Sequence, residues 1–372
     1  MRAFRFSAMC ILLVGLFWIV SSVAISQAQS KVVKLGATVA LTGRSASTGK
    51  LYADGRALGL EVLNKAENQI KVGNETYQIQ FVQYDDQSDA NLAVRLYEKL
   101  VTEDKVDFLV GPYTSGIVIP TSAIAEKYNI PMVQGGGAST NIFTRGFKNV
   151  FGTLPPGSDY HKEGVKMFAA TNKYKTMALI YADDAFSVDV ANGTRKHAEA
   201  AGLKIVLDEK YKDGQTEFAA LVTKIKDAKP DFIMSANHFA EAVAFIQQAK
   251  SSGLEVDMVF TVGVSDPNFT KTLGAAAERI FGMEPWVPTA KTCGVIFGCS
   301  SDYSNLFQDK YKYEPEYHNA NGTIELLTYK MAIEKAGSLD RDKVREALKA
   351  LSYESFYGTV KFSANGQSTR VW

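Results

Sequence analysis

Short β-rich runs alternate with helical patterns from residue 32 to residue 283, and few folds accommodate that alternation. Parallel strands need a crossover between them and a helix is the usual one, so the expected class is α/β, with parallel sheets covered by helices on both faces. Residues 32–41 read as a strand and 48–66 as a helix; a strand at 77–84 and a helix at 89–103 follow. Strands at 107–110 and 130–133 flank a helix at 115–128. Leu154, Pro155, Pro156 and Gly157 then interrupt the pattern, because paired prolines end strand and helix alike. Beyond a helix at 159–170 the alternation restarts, with strands at 176–181, 203–211, 231–236, 258–262 and 279–283. Residues 301–351 are mostly helical and a last strand is expected at 359–362.

At the start of the chain, Arg2 and Arg5 precede an apolar run at 8–20, and small or polar residues lead to Ser26, Gln27 and Ala28. This is the pattern of a Sec signal peptide spanning residues 1–28, and the run is shorter than the ~20 apolar residues of a spanning helix. Export leaves roughly 340 residues, more than one hydrophobic core usually serves, so two lobes are expected. Charge is balanced at +1, with 41 basic and 40 acidic side chains, which gives no field to attract nucleic acid. Loss of the leader leaves Cys293 and Cys299, which an oxidising compartment would pair. The histidines are scattered and no metal-ligand spacing occurs, so neither a metal nor another cofactor is expected. An enzyme is not expected either: G-x-S-x-G is missing, the turn Gly135–Thr140 is not a phosphate-binding loop, and Asp85-Asp86 and Asp183-Asp184 are adjacent pairs that point to opposite faces of a strand.

Ligands of open α/β sheets bind outside the carboxyl ends of the strands. In the first half those positions hold Arg44 and Thr48, then Tyr113 and Ser115, then Gln134, Gly136, Ala138 and Ser139. Glycines let the backbone approach a ligand, and N–H groups at a helix start attract an anion such as a carboxylate. Each hydroxyl also has a plain reading as the cap of its own helix. In the second half the strand ends supply Phe186, His238, Phe239 and Trp286, rings that stack on a ligand or simply pack in the core.

Several segments together resemble the periplasmic branched-chain amino acid-binding proteins of ABC transporters: VKLGATVALTG, YDDQSDANLAVRLYEKLVTEDKVDFLVGP, AIAEKYNIPMV, TEFAALVTKIKDAKPDF, DPNFTKTLGAAAERIFG and GTVKFSANG. The resemblance runs over essentially the whole mature chain. It implies a type I periplasmic-binding fold, α/β with two doubly wound parallel-sheet lobes joined by three hinge crossings. The first lobe is then 29–154 plus 287–357 and the second 155–286 plus 358–372, with crossings near 154–157, 284–287 and 357–359. It also implies a monomer in the periplasm, a small-molecule ligand and a membrane permease as partner; use as a ligand-sensing partner of a receptor stays open.

In the amino-acid binders, loops matching Ser115 and residues 134–138 hold the carboxylate, and an acid on the second lobe holds the ammonium. Aligned through GAAAER, that acid falls on Val262. The family's threonine after the glycines becomes Ala138, its aromatic stacking residue becomes Thr48, and a tyrosine becomes His238, while Phe186 keeps a ring. An ammonium buried without an acceptor costs several kcal/mol, of order ~3–5 for an unpaired buried charge. The expected ligand is therefore a small aromatic carboxylate (benzoate-, phenylacetate- or cinnamate-like), with a branched-chain or other amino acid as the alternative. Ser115 and backbone N–H groups would hold the carboxylate, and His238 or Gln134 a ring hydroxyl. Arg44 is either a counter-charge or a solvent-facing loop residue.

Overall fold

Strand β1 (Lys31–Val39) lies inside a six-stranded sheet, and Val33, Leu35, Ala37 and Val39 along it are fully buried. A parallel strand covered by helices on both faces has no solvent side, which is why this one reads as a nearly continuous apolar run. Chain order continues through α1 (Ala46–Leu63), β2 (Ile70–Val72), β3 (Glu75–Asp85), α2 (Ala90–Thr102), β4 (Phe108–Val110), α3 (Ser115–Lys127), β5 (Met132–Gln134) and β6 (Val150–Gly152). The strand order is β2-β3-β1-β4-β5-β6, and every pair is parallel except β2 with β3. The computed structural model describes residues 31–260 and 263–370; the expected leader and Val262 lie outside the described residues.

After the crossing at 154–157 come α4 (Lys162–Ala170), β7 (Thr176–Ala182), α5 (Ala185–Ala200), β8 (Lys204–Tyr211), α6 (Ala219–Ala228), β9 (Phe232–Ala236), α7 (Phe239–Ser251), β10 (Asp257–Phe260), α8 (Phe269–Leu273) and β11 (Ile280–Gly282). Their strands form a parallel sheet in the order β11-β10-β9-β7-β8. The chain returns through β12 (Cys293–Gly294) and β13 (Gly298–Cys299), a short hairpin closed by the expected Cys293–Cys299 disulfide. It continues through α9 (Ser300–Tyr311), α10 (Tyr317–Ala336), α11 (Arg341–Lys349) and the hairpin β14 (Ser352–Ser355) and β15 (Gly358–Lys361). No helix among the described residues is long and apolar enough to cross a membrane.

Residues 357–359, expected as a third crossing, instead lie at the turn of the last hairpin, where Ser355 pairs with Gly358. The chain then stays with the first sheet: Gly152 N–H donates to Gly366 O at 2.9 Å, and Phe362 sits edge-on to Phe151. These contacts correct the expected second-lobe placement of 358–370. Among the described residues the chain leaves the first sheet after β6 and leaves the second after β11.

Helices α1 and α10 meet backbone to backbone. A Cβ on Gly55 would lie 2.0 Å from Asn319 O, and one on Gly322 would lie 2.6 Å from Tyr52 O, so only glycine allows this approach. The closeness buries an ion pair, Arg56 with Glu325, whose atoms approach to 2.9 Å. Arg56 also donates to Thr38 O (3.2 Å) and Gly111 O (2.6 Å), while Glu325 accepts from Gly135 N–H at 2.7 Å. One buried pair thus fixes the carboxyl ends of three neighbouring strands. In the second lobe, fully buried His161 places Nδ1 2.8 Å from Thr194 Oγ1 on α5. That hydroxyl donates to Val190 O at 2.7 Å, so the imidazole donates to it. Burial pushes the imidazole down to about 3.

Candidate functional site

The cleft between the two sheets is lined at its inner end by strand-end loops of both. From the first lobe come Tyr113, Thr114, Ser115, Gly136 and Ala138; from the second come Phe186 and His238. Tyr52 on α1, Tyr160, and Tyr317 and His318 in the first turn of α10 complete an aromatic enclosure around a cavity of about 20 Å3.

Thr114 has φ 76 and ψ 144, a backbone conformation nearly reserved for glycine that costs about 1–3 kcal/mol elsewhere. It immediately precedes α3, whose first N–H groups have no intrahelical partner. Its own N–H donates to Gly136 O at 3.2 Å. Ser115 Oγ accepts from Ala138 N–H and Ser139 N–H, both at 3.1 Å, and its own proton remains available to an acceptor. Ser115 Oγ thus sits at the start of α3 with one proton to donate, while the N–H groups of Ala138 and Ser139 are already engaged by it.

Gln134 departs from its expected role. Its Oε1 accepts from Gly136 N–H (3.1 Å) and Gly137 N–H (2.7 Å), and its Nε2 donates to Gly137 O (2.9 Å). The amide is consumed in folding its own loop and does not line the cavity. Ser139 is buried and also off the lining. Next to it, Thr140 N–H and Oγ1 donate across the cleft to the Asp189 carboxylate on α5, at 2.9 and 2.7 Å.

On the second lobe, Asp184 caps α5 by accepting from Phe186 N–H (2.9 Å) and Ser187 N–H (3.2 Å), which sets the Phe186 ring edge-on to Tyr160. Phe186 is thus both a packed and a lining residue. His238 precedes α7, with Nε2 3.6 Å from Asp184 Oδ1 and Nδ1 3.3 Å from Tyr113 Oη on the opposite lobe. Burial opposes the imidazolium, yet Asp184, backed by Glu241 and Asp213, outweighs it and raises the His238 pKa above the ordinary histidine value. Burial likewise opposes the Asp184 carboxylate, but His238 and Ser187 hold it down at about 2. The pair favours the imidazolium form on the cleft wall, with the Asp184 carboxylate beside it as counter-charge.

Outside the enclosure a second chamber of about 200 Å3 opens toward solvent, lined by Arg44, Thr48, Asp213, Phe239 and Glu241, and sharing Tyr113, Thr114 and His238 with the inner cavity. Arg44 is neither free nor buried: it bridges the mouth to Asp213 at 2.5 Å while its side chain stays 53% exposed. Trp286 is the clearest correction. It is buried beside the crossing at 283–287, donates from Nε1 to Phe356 O at 3.0 Å, and packs edge-on against Tyr303 and Phe356. A tryptophan between prolines resembles a surface ligand contact, but here it wedges the returning chain against the first lobe.

Tyr52, Tyr160, Tyr317 and His318 were not expected in the site. They do not follow strands, so the strand-end rule passes over them. The available signal was Tyr317-His318-Asn319 together with Asn321, polar residues in a helix that carries no apolar stripe. No group of His, Cys, Asp or Glu side chains among the described residues is placed to hold a metal ion.

The family model described as periplasmic binding protein matches residues 32–371. The leucine-, isoleucine-, valine-, threonine- and alanine-binding protein of Pseudomonas aeruginosa is 28% identical, over 90% of this chain and 86% of that one. Among solved structures, a leucine-binding protein from Thermotoga maritima superposes with a TM-score of 0.81 at 21% identity, covering 91% of this chain and 93% of its own. A solute-binding protein of an ABC transporter from R. palustris, in complex with benzoate, superposes at 0.78 with 22% identity and 91% coverage of each chain. At these identities the two structures speak for the fold.

Proposed function

Since the chain belongs to the periplasmic binding protein family, we propose that it is the exported solute-binding protein of an ABC uptake transporter and that it closes on a small aromatic carboxylate. The observation that carries this reading is the charge pattern of the inner cavity. Hydroxyl and backbone donors converge at Ser115 and the start of α3, a raised-pKa imidazole faces them, and no carboxylate is among the described lining residues. That inner wall favours an anion and offers an ammonium no carboxylate; the carboxylates of the cleft, Asp213 and Glu241, line only the outer chamber. Val262, where the family's acid is expected, fits the same pattern in sequence alone. The relatives' names point both ways, to aliphatic amino acids and to benzoate.

The test is a thermal-shift panel of benzoates, phenylacetates, cinnamates, leucine, isoleucine and valine, with calorimetry on each hit. Aromatic acids are expected to raise the melting temperature and the aliphatic amino acids to leave it unchanged; the reverse result would restore an amino-acid ligand. Ser115→Ala is expected to weaken the bound acid by roughly 1.5–3 kcal/mol, as for a hydrogen bond to a charged group. Calorimetry of the variant reads this directly, and unchanged affinity would leave Ser115 with only its bonds to residues 138 and 139.

A further inference from the structure

Three carboxylates that line neither chamber of the cleft come together beside Tyr160 and Tyr317, and they belong to different lobes. Glu284 sits just past β11, where the chain leaves the second sheet. Its Oε1 accepts from Ser265 N–H at 3.2 Å, whereas its Oε2 is buried with no hydrogen-bond partner. Asp266, buried between β10 and α8, accepts from Asn268 N–H at 2.7 Å. Glu316 acts on both from the first lobe. It is buried at the start of α10, where its Oε1 accepts from His318 N–H at 2.7 Å and its Oε2 lies 2.8 Å from His318 Nδ1.

Tyr160, Tyr317 and Tyr357 also surround Glu284, and Arg370, 4.1 Å over the Tyr357 ring, acts on Tyr357 and Tyr160. The cluster sets three acids against one imidazole, and Glu284 is the acid with an unmet oxygen. Like charges drawn together out of water favour the protonated form of one of them. Burial pushes Glu284 up to about 8, with Glu316 and Asp266 adding to it against the bonds from Ser265. Asp266 is raised as well, by burial first and by Glu316 after it.

We propose that closure of this chain is proton-linked: Glu284 is a carboxylate when the lobes stand apart and a neutral acid when Glu316 is pressed toward it. Closing then takes one proton from the buffer, and opening returns it. This rests on the solute-binding reading above but not on the class of solute. With the ordinary value of 4.5 in the open form and about 8 in the closed one, closure is favoured fully below 4.5 and is progressively lost as pH rises through 8.

The probe is the member of the panel above with the largest thermal shift, acid or amino acid. Calorimetry at pH 6 and pH 7 is expected to show a fall in affinity about tenfold larger in the unmodified chain than in Glu284→Gln, the effect of one linked proton over one pH unit. Any slope that the variant keeps belongs to other groups, His238 and His318 among them. In chain labelled at the glutamate side-chain carboxyl carbons, the resonance missing from Glu284→Gln is expected to titrate near 8 with the probe bound and well below that without it. Glu316→Gln keeps an acceptor for His318 N–H and removes the opposing charge, so the same resonance with the probe bound is expected to move to lower pH. Equal pH ratios in the unmodified chain and Glu284→Gln, or a Glu284 resonance that titrates at one pH with and without the probe, would overturn the proposal and leave solute binding intact. A panel without a hit would overturn the solute-binding reading and the proposal with it.

Discussion

Glu325→Ala is expected to destabilise the folded chain by about 3–5 kcal/mol, because it leaves the Arg56 guanidinium buried and unpaired. It also strips the acceptor from Gly135 N–H, and Arg56 anchors Thr38 O and Gly111 O, so the damage reaches the three strand ends that form the first-lobe wall of the cleft. Denaturant unfolding and ligand calorimetry together separate the two effects. The double variant Arg56→Met with Glu325→Leu removes both charges and is expected to recover most of the stability, since an apolar pair of similar volume often replaces a buried ion pair at little cost. It is not expected to recover ligand affinity, because neither methionine nor leucine holds the backbone atoms at 38, 111 and 135. A cost of under about 1 kcal/mol for Glu325→Ala would mean that α1 and α10 hold these loops by backbone contact alone.

The second large effect is an acid instability of the second lobe. His161 titrates at about 3 in the folded chain against an ordinary value of 6.5, so the unfolded chain binds the proton more tightly. The stabilisation is complete above 6.5 and is lost as pH falls toward 3. Each pH unit below the unfolded value costs about 1.4 kcal/mol, so roughly 2 kcal/mol is expected to be gone at pH 5. Urea unfolding at pH 7 and pH 5 measures it. In His161→Gln, which keeps a donor for Thr194 and does not titrate, that part of the slope should vanish; an unchanged slope would assign the acid sensitivity to carboxylates instead.

Much of the architecture was legible because the strands of both sheets are buried on two faces and the helices between them are not, so composition itself alternates along the chain. Ser115, Phe186 and His238 were legible for a related reason: each follows a strand directly, and the topology brings such positions to one edge. Gln134 and Trp286 also follow strands, and there the rule misleads. Whether an amide faces a ligand or folds back on its own loop depends on two glycine N–H groups within three residues of it. Whether a tryptophan meets solute or packs edge-on against Tyr303 depends on a helix that begins after it in the chain. The contribution of α10 was illegible for the opposite reason. That helix is buried on nearly all sides, so no face of it stands out, and Tyr317 and His318 reach the cleft only because Gly55 and Gly322 let α10 press against α1. The segment from 358 onward carries no mark in sequence of which lobe it serves; β15 pairs only with β14, and the Gly366 to Gly152 bond then sets the chain beside β6.

Asp189 belongs to the second lobe, yet it ties down Thr140, two residues beyond the alanine N–H that meets Ser115. The loop that would grip a carboxylate is therefore not the property of the lobe that contains it. A chimera joining this first lobe to a relative's second lobe without an acid at that place would inherit all the gripping residues and lose the tether beneath them. Restoring one aspartate on α5 should repair such a hybrid more effectively than any change within the loop. Moving ligand preference into or out of this chain is therefore expected to require both halves together.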